Sequence, residues 1–470
     1  MGGRKEYFFC GVGGSGMTPL ALIVQARGAR VEGSDRALDQ GRNAARFDFL
    51  RACGVRLYPQ DGSGVNRAHQ ILVTSAAVED TVPDVQAARR IGALVMTRAQ
   101  LLAELFNPAV CGIGVAGTSG KSTTTGMIGW ILYRAGRDPT IVNGAEMKNF
   151  ASAGSAFAAA RIGRGEEFVC EIDESDGSIA LFAPRIAVVN NISLDHKPIQ
   201  ELRILFRDFA NKGQRAVLNL DNAETAALVP DLKPEQVTTW SLSDTRADLL
   251  GGRPVCSRNT IAFPVKMRTT GQVVDVKLNV PGMHNMANAL AALGAASACG
   301  MNLEDAAKHL KAFSGIRRRL EVVGTVNEIT VIHDFALNPE KVSATLQTVH
   351  AFPGRLLLMF QPHGYGPLRL MRDGLIDCFA RGLRGEDVLL MTEPVYFGGT
   401  VDRSIGSDDI VKDIVGRGRN ALALPDRGAC GEKLVQLARS GDCIVVMGAR
   451  DDSLSQFAQE VLQRLSRSET

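Results

Sequence analysis

Lys121 and Ser122 follow directly on a glycine-broken run, "GTSGKSTTTG", at residues 117–126. This is chemistry for a nucleoside triphosphate. Gly117, Thr118, Ser119 and Gly120 form the cradle, because glycine tolerates the backbone angles that turn successive N–H groups inward on a phosphate chain. A helix starting at Lys121 adds partial positive charge. The lysine reaches the terminal phosphates, and Ser122 or Thr123 offers a hydroxyl to Mg2+. The full P-loop pattern asks for glycine at 115, where Val115 stands.

Two acidic segments follow. "CEIDESDGS" puts Asp173, Glu174 and Asp176 after one apolar run, and "NNISLDHKP" puts Asp195 and His196 after the next. Both fall where parallel strands present ligand-binding residues, at their carboxyl ends. Oxygen donors with one imidazole suit Mg2+ or Mn2+ beside a triphosphate better than structural zinc.

A second glycine loop lies about a hundred residues earlier. "GVGGSG" (11–16) fits G-x-G-x-x-G, and Asp35 follows about 20 residues on, the place of a ribose-binding acid. Taken alone it reads as a dinucleotide site, and so as a nicotinamide-dependent oxidoreductase. That reading leaves the metal motifs without a purpose.

These loops need strands before them and helices after them, and the chain supplies both in alternation. In residues 1–107, β-rich "YFFCGVG" and "QILVTSA" alternate with helical "MTPLALIVQARG" and "VPDVQAARRIG". "FNPAVCGIGV" breaks the helix "RAQLLAELF" and restarts the pattern, which continues through "EFVCEI", "RIAVVNNI" and the alanine-rich "MANALAALGAASACG". The final third alternates again, from "ITVIHDF" to "DCIVVMGA" and "SLSQFAQEVLQRL". The expectation is three consecutive α/β domains: a Rossmann-like domain at 1–107, a P-loop ATPase domain at 108–314 and a second Rossmann-like domain at 315–470.

Bulk properties exclude several classes. With 45% hydrophobic and 22% charged residues, the composition is that of an ordinary globular protein. A net charge of +3 gives no reason to expect nucleic acid or a membrane surface as partner. No apolar run reaches the roughly 18–20 residues of a membrane span. The opening "MGGRKEYFFCGVGG" has no long apolar stretch, and the nine cysteines form no CxxC pair. Reduced thiols in a cytoplasmic protein, monomer or homodimer, are expected.

The order of "GVGGSGM", "GSD", "SAA", "GTSGKSTTT", "DESDGS", "NNISLDH", "PGMHNMANALAA", "FSGIRRRLE", "HDFALNP" and "QPHGY" resembles the Mur ligase family along essentially the whole chain. The resemblance implies an ATP-dependent carboxylate–amine ligase. An amino acid, L-alanine first among the candidates, would be joined to the carboxylate of UDP-N-acetylmuramate through an acyl phosphate, in peptidoglycan precursor synthesis. A ligase of murein-peptide recycling, or one with a different acceptor and amine, is the alternative. By the same resemblance the first loop serves the UDP-sugar, through Gly11, Gly13, Gly14, Ser15, Gly16, Met17, Ser34, Asp35 and Ser75. Ser122, Glu174 and His196 hold the metal, Asn285 and Asn288 lie near ATP, and Arg319 and Asp334 act from the third domain. Some positions depart from the family pattern: Ser119 replaces a histidine, Lys197-Pro198 an expected acid, and "DFALNP" and "GYGPL" lack the basic groups of alanine-adding relatives. The ATP-handling residues are kept, while the segments that would select the amine are altered.

Overall fold

The computed structural model describes residues 4–75, 78–152, 157–193, 198–257, 259–351, 353–395, 402–448, 451 and 453–467. Two compact units make up the chain. One is Met1–Pro254, Ala262–Leu278 and Asn285–Ile316; the other is Val255–Ile261, Asn279–His284 and Arg317–Thr470. Three sheets give the α/β architecture expected from the alternation.

The first sheet holds β1 (Glu6–Cys10), β2 (Arg30–Ser34), β3 (Arg56–Tyr58), β4 (Gln70–Thr74) and β5 (Leu94–Thr97), ordered β3-β2-β1-β4-β5. All neighbours pair in parallel. β1 is buried on both faces, which is why it reads as an unbroken apolar run. Tyr7 and Phe9 pack on the helices Met17–Ala26 and Ala44–Ala52, and Phe8 and Cys10 on Pro83–Ile91. The helices thus leave β1 toward opposite faces, and the loop after β1 opens at the switch point where ligand crevices form.

The helix Arg98–Phe106 joins this sheet to the next. Thr97 and Gln100 close a capping box at its start, and Phe106 packs edge-on against Phe168 and Phe182 at 5.6 and 5.8 Å. Asn107 fixes the exit by donating to the Leu181 carbonyl and accepting from the Ala183 amide.

The second sheet contains β6 (Cys111–Ala116), β7 (Thr140–Val142), β8 (Ala160–Arg161), β9 (Glu167–Glu171), β10 (Ile186–Val189), β11 (Arg215–Asn219), β12 (Val237–Ser241) and β13 (Leu249–Gly251). Then come β14 (Val255–Cys256), β15 (Ile261–Met267) and β16 (Val273–Leu278). From β15 the order is β15-β13-β12-β11-β10-β6-β9-β7-β8, with β16 paired to β15. β6, buried throughout, runs parallel to both β10 and β9, so the second glycine loop also leaves from a switch point. The strands from Val237 to Leu278 were not singled out in the sequence, although β15 and β16 alternate buried and open residues along their length.

The other unit carries β17 (Glu321–Val326), β18 (Ile329–Asp334), β19 (Leu356–Gln361), β20 (Val388–Thr392), β21 (Asn420–Leu424) and β22 (Cys443–Gly448), ordered β17-β18-β22-β19-β20-β21. Only β17 is antiparallel. Helices cover both faces, with Leu346 and Phe379 on one and Leu434 and Phe457 on the other.

Candidate active site

The second glycine loop is built as the sequence requires. Gly117 and Gly120 have φ of +134° and +82°, in the region that favours glycine. A Cβ on Gly120 would run into Asn288 Oδ1, and one on Gly117 would sit 3.0 Å from the Asn191 carbonyl oxygen. The helix Lys121–Arg134 begins directly on Gly120. Val115 is the fully buried penultimate residue of β6, so the glycine missing from position 115 falls inside a strand rather than in the turn.

Lys121 is nearly enclosed. Its Nζ donates to the Gly117 carbonyl at 2.6 Å and to Glu174 Oε2 at 2.8 Å. Burial works against the ammonium, but Glu174, Glu171 and Asp173 together hold its pKa above the ordinary lysine value. Burial pushes the Glu174 carboxyl up, and Lys121 opposes that shift. Asp173 is held below its usual range, because Lys121 and the Ser175 amide outweigh the cost of burial. A cation facing three carboxylates, beside a helix N-terminus, can exchange partners when a triphosphate and its counter-ion arrive.

Asparagines frame this loop. The Ser119 amide donates to Asn191 Oδ1 at 2.8 Å, and Asn191 Nδ2 donates back to the Ser119 carbonyl at 3.1 Å. Thr118 Oγ1 accepts from the Ser193 amide at 3.0 Å. Asn190 Nδ2 donates to Thr124 Oγ1 at 2.9 Å, whose hydroxyl donates to Asn288 Oδ1 at 3.2 Å; Asn288 in turn donates to Asn285 Oδ1 at 3.4 Å. Asn143 holds the Ser122 carbonyl, and the Gly144 amide donates to Glu171. Among the described residues the buried Ser119 Oγ, Asn143 Oδ1 and Asn190 Oδ1 have no hydrogen-bond partner. Unmet polar atoms concentrated around a phosphate cradle fit a polar ligand there. Asn285 and Asn288 thus shape the loop from behind, and Asn143, Asn190 and Asn191 join them. The pair "NN" after β10 was the available signal, since its amides sit at a strand's carboxyl end.

The first loop has a different design. The Gly11 and Val12 amides donate to the Ser34 carbonyl, and Gly13 donates to Asp35 Oδ2 at 2.9 Å. The other Asp35 oxygen accepts from the Ala37 amide at 2.8 Å, capping the short helix that follows. Gly14 and Ser15 are exposed at the loop's crest, Gly16 leads into the helix, and Met17 is buried beneath it. The Ser34 hydroxyl is buried and donates to Asp84, so this side chain supports the loop from below. Ser75 follows β4 at its carboxyl end. Arg46 and Arg98, which no motif pointed to, flank the loop. Arg46 donates to the Gly13 carbonyl at 2.8 Å and pairs with Glu146 at 3.9 Å. Arg98 would touch a Cβ on Gly16, its Cδ lying 2.9 Å away.

Arg319 and Asp334 belong to the other unit. Asp334 is buried, accepting from the Leu320 amide at 2.8 Å and from Thr345 Oγ1 at 2.5 Å. Leu320 and Arg318 have φ of +45° and +62°, and the Phe335 amide ties back to the Arg318 carbonyl. Arg319 lies over the Phe335 ring at 4.5 Å. Asp334 therefore holds the strained segment that presents Arg319. His196 lies outside the described residues, as does Asp195. Among the described residues no group of three or more His, Cys, Asp or Glu is arranged to hold a metal ion, and no helix is long and apolar enough to cross a membrane.

Three family models match in order: "Mur ligase family, catalytic domain" over residues 6–109, "Mur ligase middle domain" over 115–296, and "Mur ligase, glutamate ligase domain" over 318–450. The UDP-N-acetylmuramate–L-alanine ligase of Geotalea daltonii is 33% identical over 472 residues, covering 98% of each chain. The chain belongs to the Mur ligase family. A relative of the same description from Gloeobacter violaceus is 33% identical, covering 97% of this Mur ligase and 95% of that protein. Among solved structures, the UDP-N-acetylmuramate-alanine ligase of Thermotoga maritima superposes with a TM-score of 0.80 at 22% identity, covering 99% of this chain and 100% of that one. The murein peptide ligase of Psychrobacter arcticus gives 0.71 at 23%, covering 98% and 99%. Both likenesses are likenesses of fold. Membership makes this Mur ligase an ATP-dependent, ADP-forming enzyme acting on small molecules.

Proposed function

We propose that this chain joins L-alanine to the carboxylate of UDP-N-acetylmuramate, in the synthesis of peptidoglycan precursors. The observation that carries the reading is the pairing of two unlike phosphate loops in one compact unit. One has an enclosed lysine and acids; the other is lysine-free, with an exposed crest. Full-length relatives described as UDP-N-acetylmuramate–L-alanine ligases support it.

A carboxylate and an amine do not condense unaided in water; ATP supplies the phosphoryl group that turns the carboxylate into an acyl phosphate. The chain's own part is positioning and charge neutralisation. Gly117–Gly120 amides cradle the phosphates, and Lys121 follows the transferred group, exchanging Glu174 for it. Ser122, Glu174 and His196 would hold Mg2+ or Mn2+, with phosphate oxygens completing the shell. So small a set of hard donors suits Mg2+, which is bound by one or two carboxylates and substrate phosphates rather than by a protein cage. When bound, the metal neutralises phosphate charge. Asn285 and Asn288 fix the loop's shape. The family resemblance gives Arg319 a role toward the nucleotide, and Asp334 holds the backbone that carries it. Gly11, Gly13, Gly14, Ser15 and Gly16 receive the acceptor's diphosphate, with Asp35 as the strut that sets the loop. The three domains are taken as 1–107, 108–314 and 315–470.

The test is phosphate release from ATP with Mg2+ and UDP-N-acetylmuramate, across the twenty amino acids and the cell-wall tripeptide. Release with L-alanine supports the proposal. Release with the tripeptide alone assigns the chain to recycling instead. Silence throughout, with ATP still bound, overturns the acceptor assignment.

A further inference from the structure

We propose that Arg46 is the cation that receives the diphosphate of the sugar-nucleotide acceptor at the first glycine loop; this rests on the acceptor reading above. The loop's own amides set where the phosphates go. Gly11 and Val12 donate to the Ser34 carbonyl, Gly13 to Asp35, Gly14 to the Gly11 carbonyl and Met17 to the Gly14 carbonyl. Among the described residues the Ser15 and Gly16 amides have no such acceptor, and they stand directly before the helix Met17–Ala26. Two open amides at the start of a helix make a seat for one phosphate group. A diphosphate brings more negative charge than that seat balances, and Asp35 adds a carboxylate of the same sign at Gly13.

Packing brings Arg46 to this loop. The helix Ala44–Ala52 sets Phe47 against Gly13, where a Cβ would lie 2.9 Å from the ring. The preceding residue reaches the other side of the same glycine, and Arg46 Nη1 donates to the Gly13 carbonyl at 2.8 Å. The guanidinium carbon lies 4.8 Å from the centre of the Phe157 ring, and Phe157 packs on Phe49 of the same helix at 5.4 Å. The cation is therefore braced beside the loop, unlike the mobile Lys121.

Charge assigns the ligand. A neutral donor would hold the Gly13 carbonyl as well, yet the residue is an arginine whose side chain is only 14% exposed. Withdrawing that charge from water is costly, and an arriving phosphate offsets the cost. Glu146 stands 3.9 Å from Nη2, beyond hydrogen-bond distance, so phosphate oxygens compete with it on favourable terms. A guanidinium's planar fork also matches phosphate geometry.

Ligand-observed NMR titrations of the full chain with UDP and with uridine, which has no phosphate, isolate the contact. A non-hydrolysable ATP analogue with Mg2+ keeps the second loop filled. The wild type is expected to bind UDP more tightly than uridine. Arg46→Ala should weaken UDP roughly ten- to hundredfold, the worth of hydrogen bonds to a charged group, with uridine held within a few-fold. Arg46→Lys should regain part of the loss, since it keeps the charge without the fork. Arg46→Gln still offers a donor to the Gly13 carbonyl; it should lose UDP as the alanine variant does, and it tests the charge where alanine fails to fold. UDP affinity retained in Arg46→Ala or Arg46→Gln overturns the proposal. An equal loss of UDP and uridine, with unchanged melting temperature, overturns it in favour of loop bracing. A wild type that binds UDP no better than uridine overturns it too. A wild type that binds neither overturns the acceptor reading and this proposal together.

Discussion

The two glycine loops leave β1 and β6, each flanked by two parallel neighbours, in the same way, yet they are held by opposite means. The first is braced by a carboxylate: Asp35 ties Gly13 to the Ala37 amide, and the loop contains no cation of its own. The second is braced by neutral amides, Asn190, Asn191 and Asn288, while its charged groups, Lys121 and Glu174, face each other. A loop that only has to hold a phosphate is served by a rigid turn and a helix N-terminus. A loop where phosphate charge moves needs a mobile cation, and neutral supports leave that cation's field intact.

Removing the divalent cation should divide the loops most sharply. With EDTA, phosphate release is expected to fall to background, while calorimetric binding of UDP-N-acetylmuramate survives. Lys121→Ala comes next, lowering the rate of release by about 10²–10³-fold, as for loss of one preorganised donor. Its acceptor affinity should stay within a few-fold; a parallel loss in a folded variant would break the separation of sites. Gly120→Ala places a Cβ at φ +82° against Asn288 and is expected to weaken ATP about tenfold, at a cost of about 1–2 kcal/mol for the left-handed backbone alone. Equilibrium binding of a fluorescent ATP analogue measures it. Asp35→Ala frees the Gly13 amide in the loop, and should weaken the acceptor about fivefold, the cost of one unmade hydrogen bond of about 1 kcal/mol. ATP affinity should not change; if it falls equally, the first loop does not serve the acceptor.

How much of this was legible depends on the range of the interaction. β1, β6, β9, β10 and the helix Lys121–Arg134 stand where the apolar runs and glycine breaks put them, because these signals are local. The strands between Val237 and Leu278 were not picked out, since short alternating segments without turn motifs give a weaker signal than buried runs. Asp35 was readable as a loop-associated acid, but its bonds to Gly13 and Ala37 were not. Asp334 was readable as a motif residue, and only the fold shows it anchoring the backbone of Leu320.

The sequence alone determined the two loops, the buried strands and helices that flank them, and the residues that carry charge at the second loop. These follow from backbone tolerance and from the period of burial, which need only near neighbours. Tertiary structure alone decided that β10 and β9 would flank β6, and so that Asn191 and Glu174 would close on one loop. It also decided that Arg98, which lies in no motif, would lie against Gly16. Such meetings depend on which strands pair and which faces the helices cover, and that is fixed by the packing of the whole core rather than by any short stretch of chain.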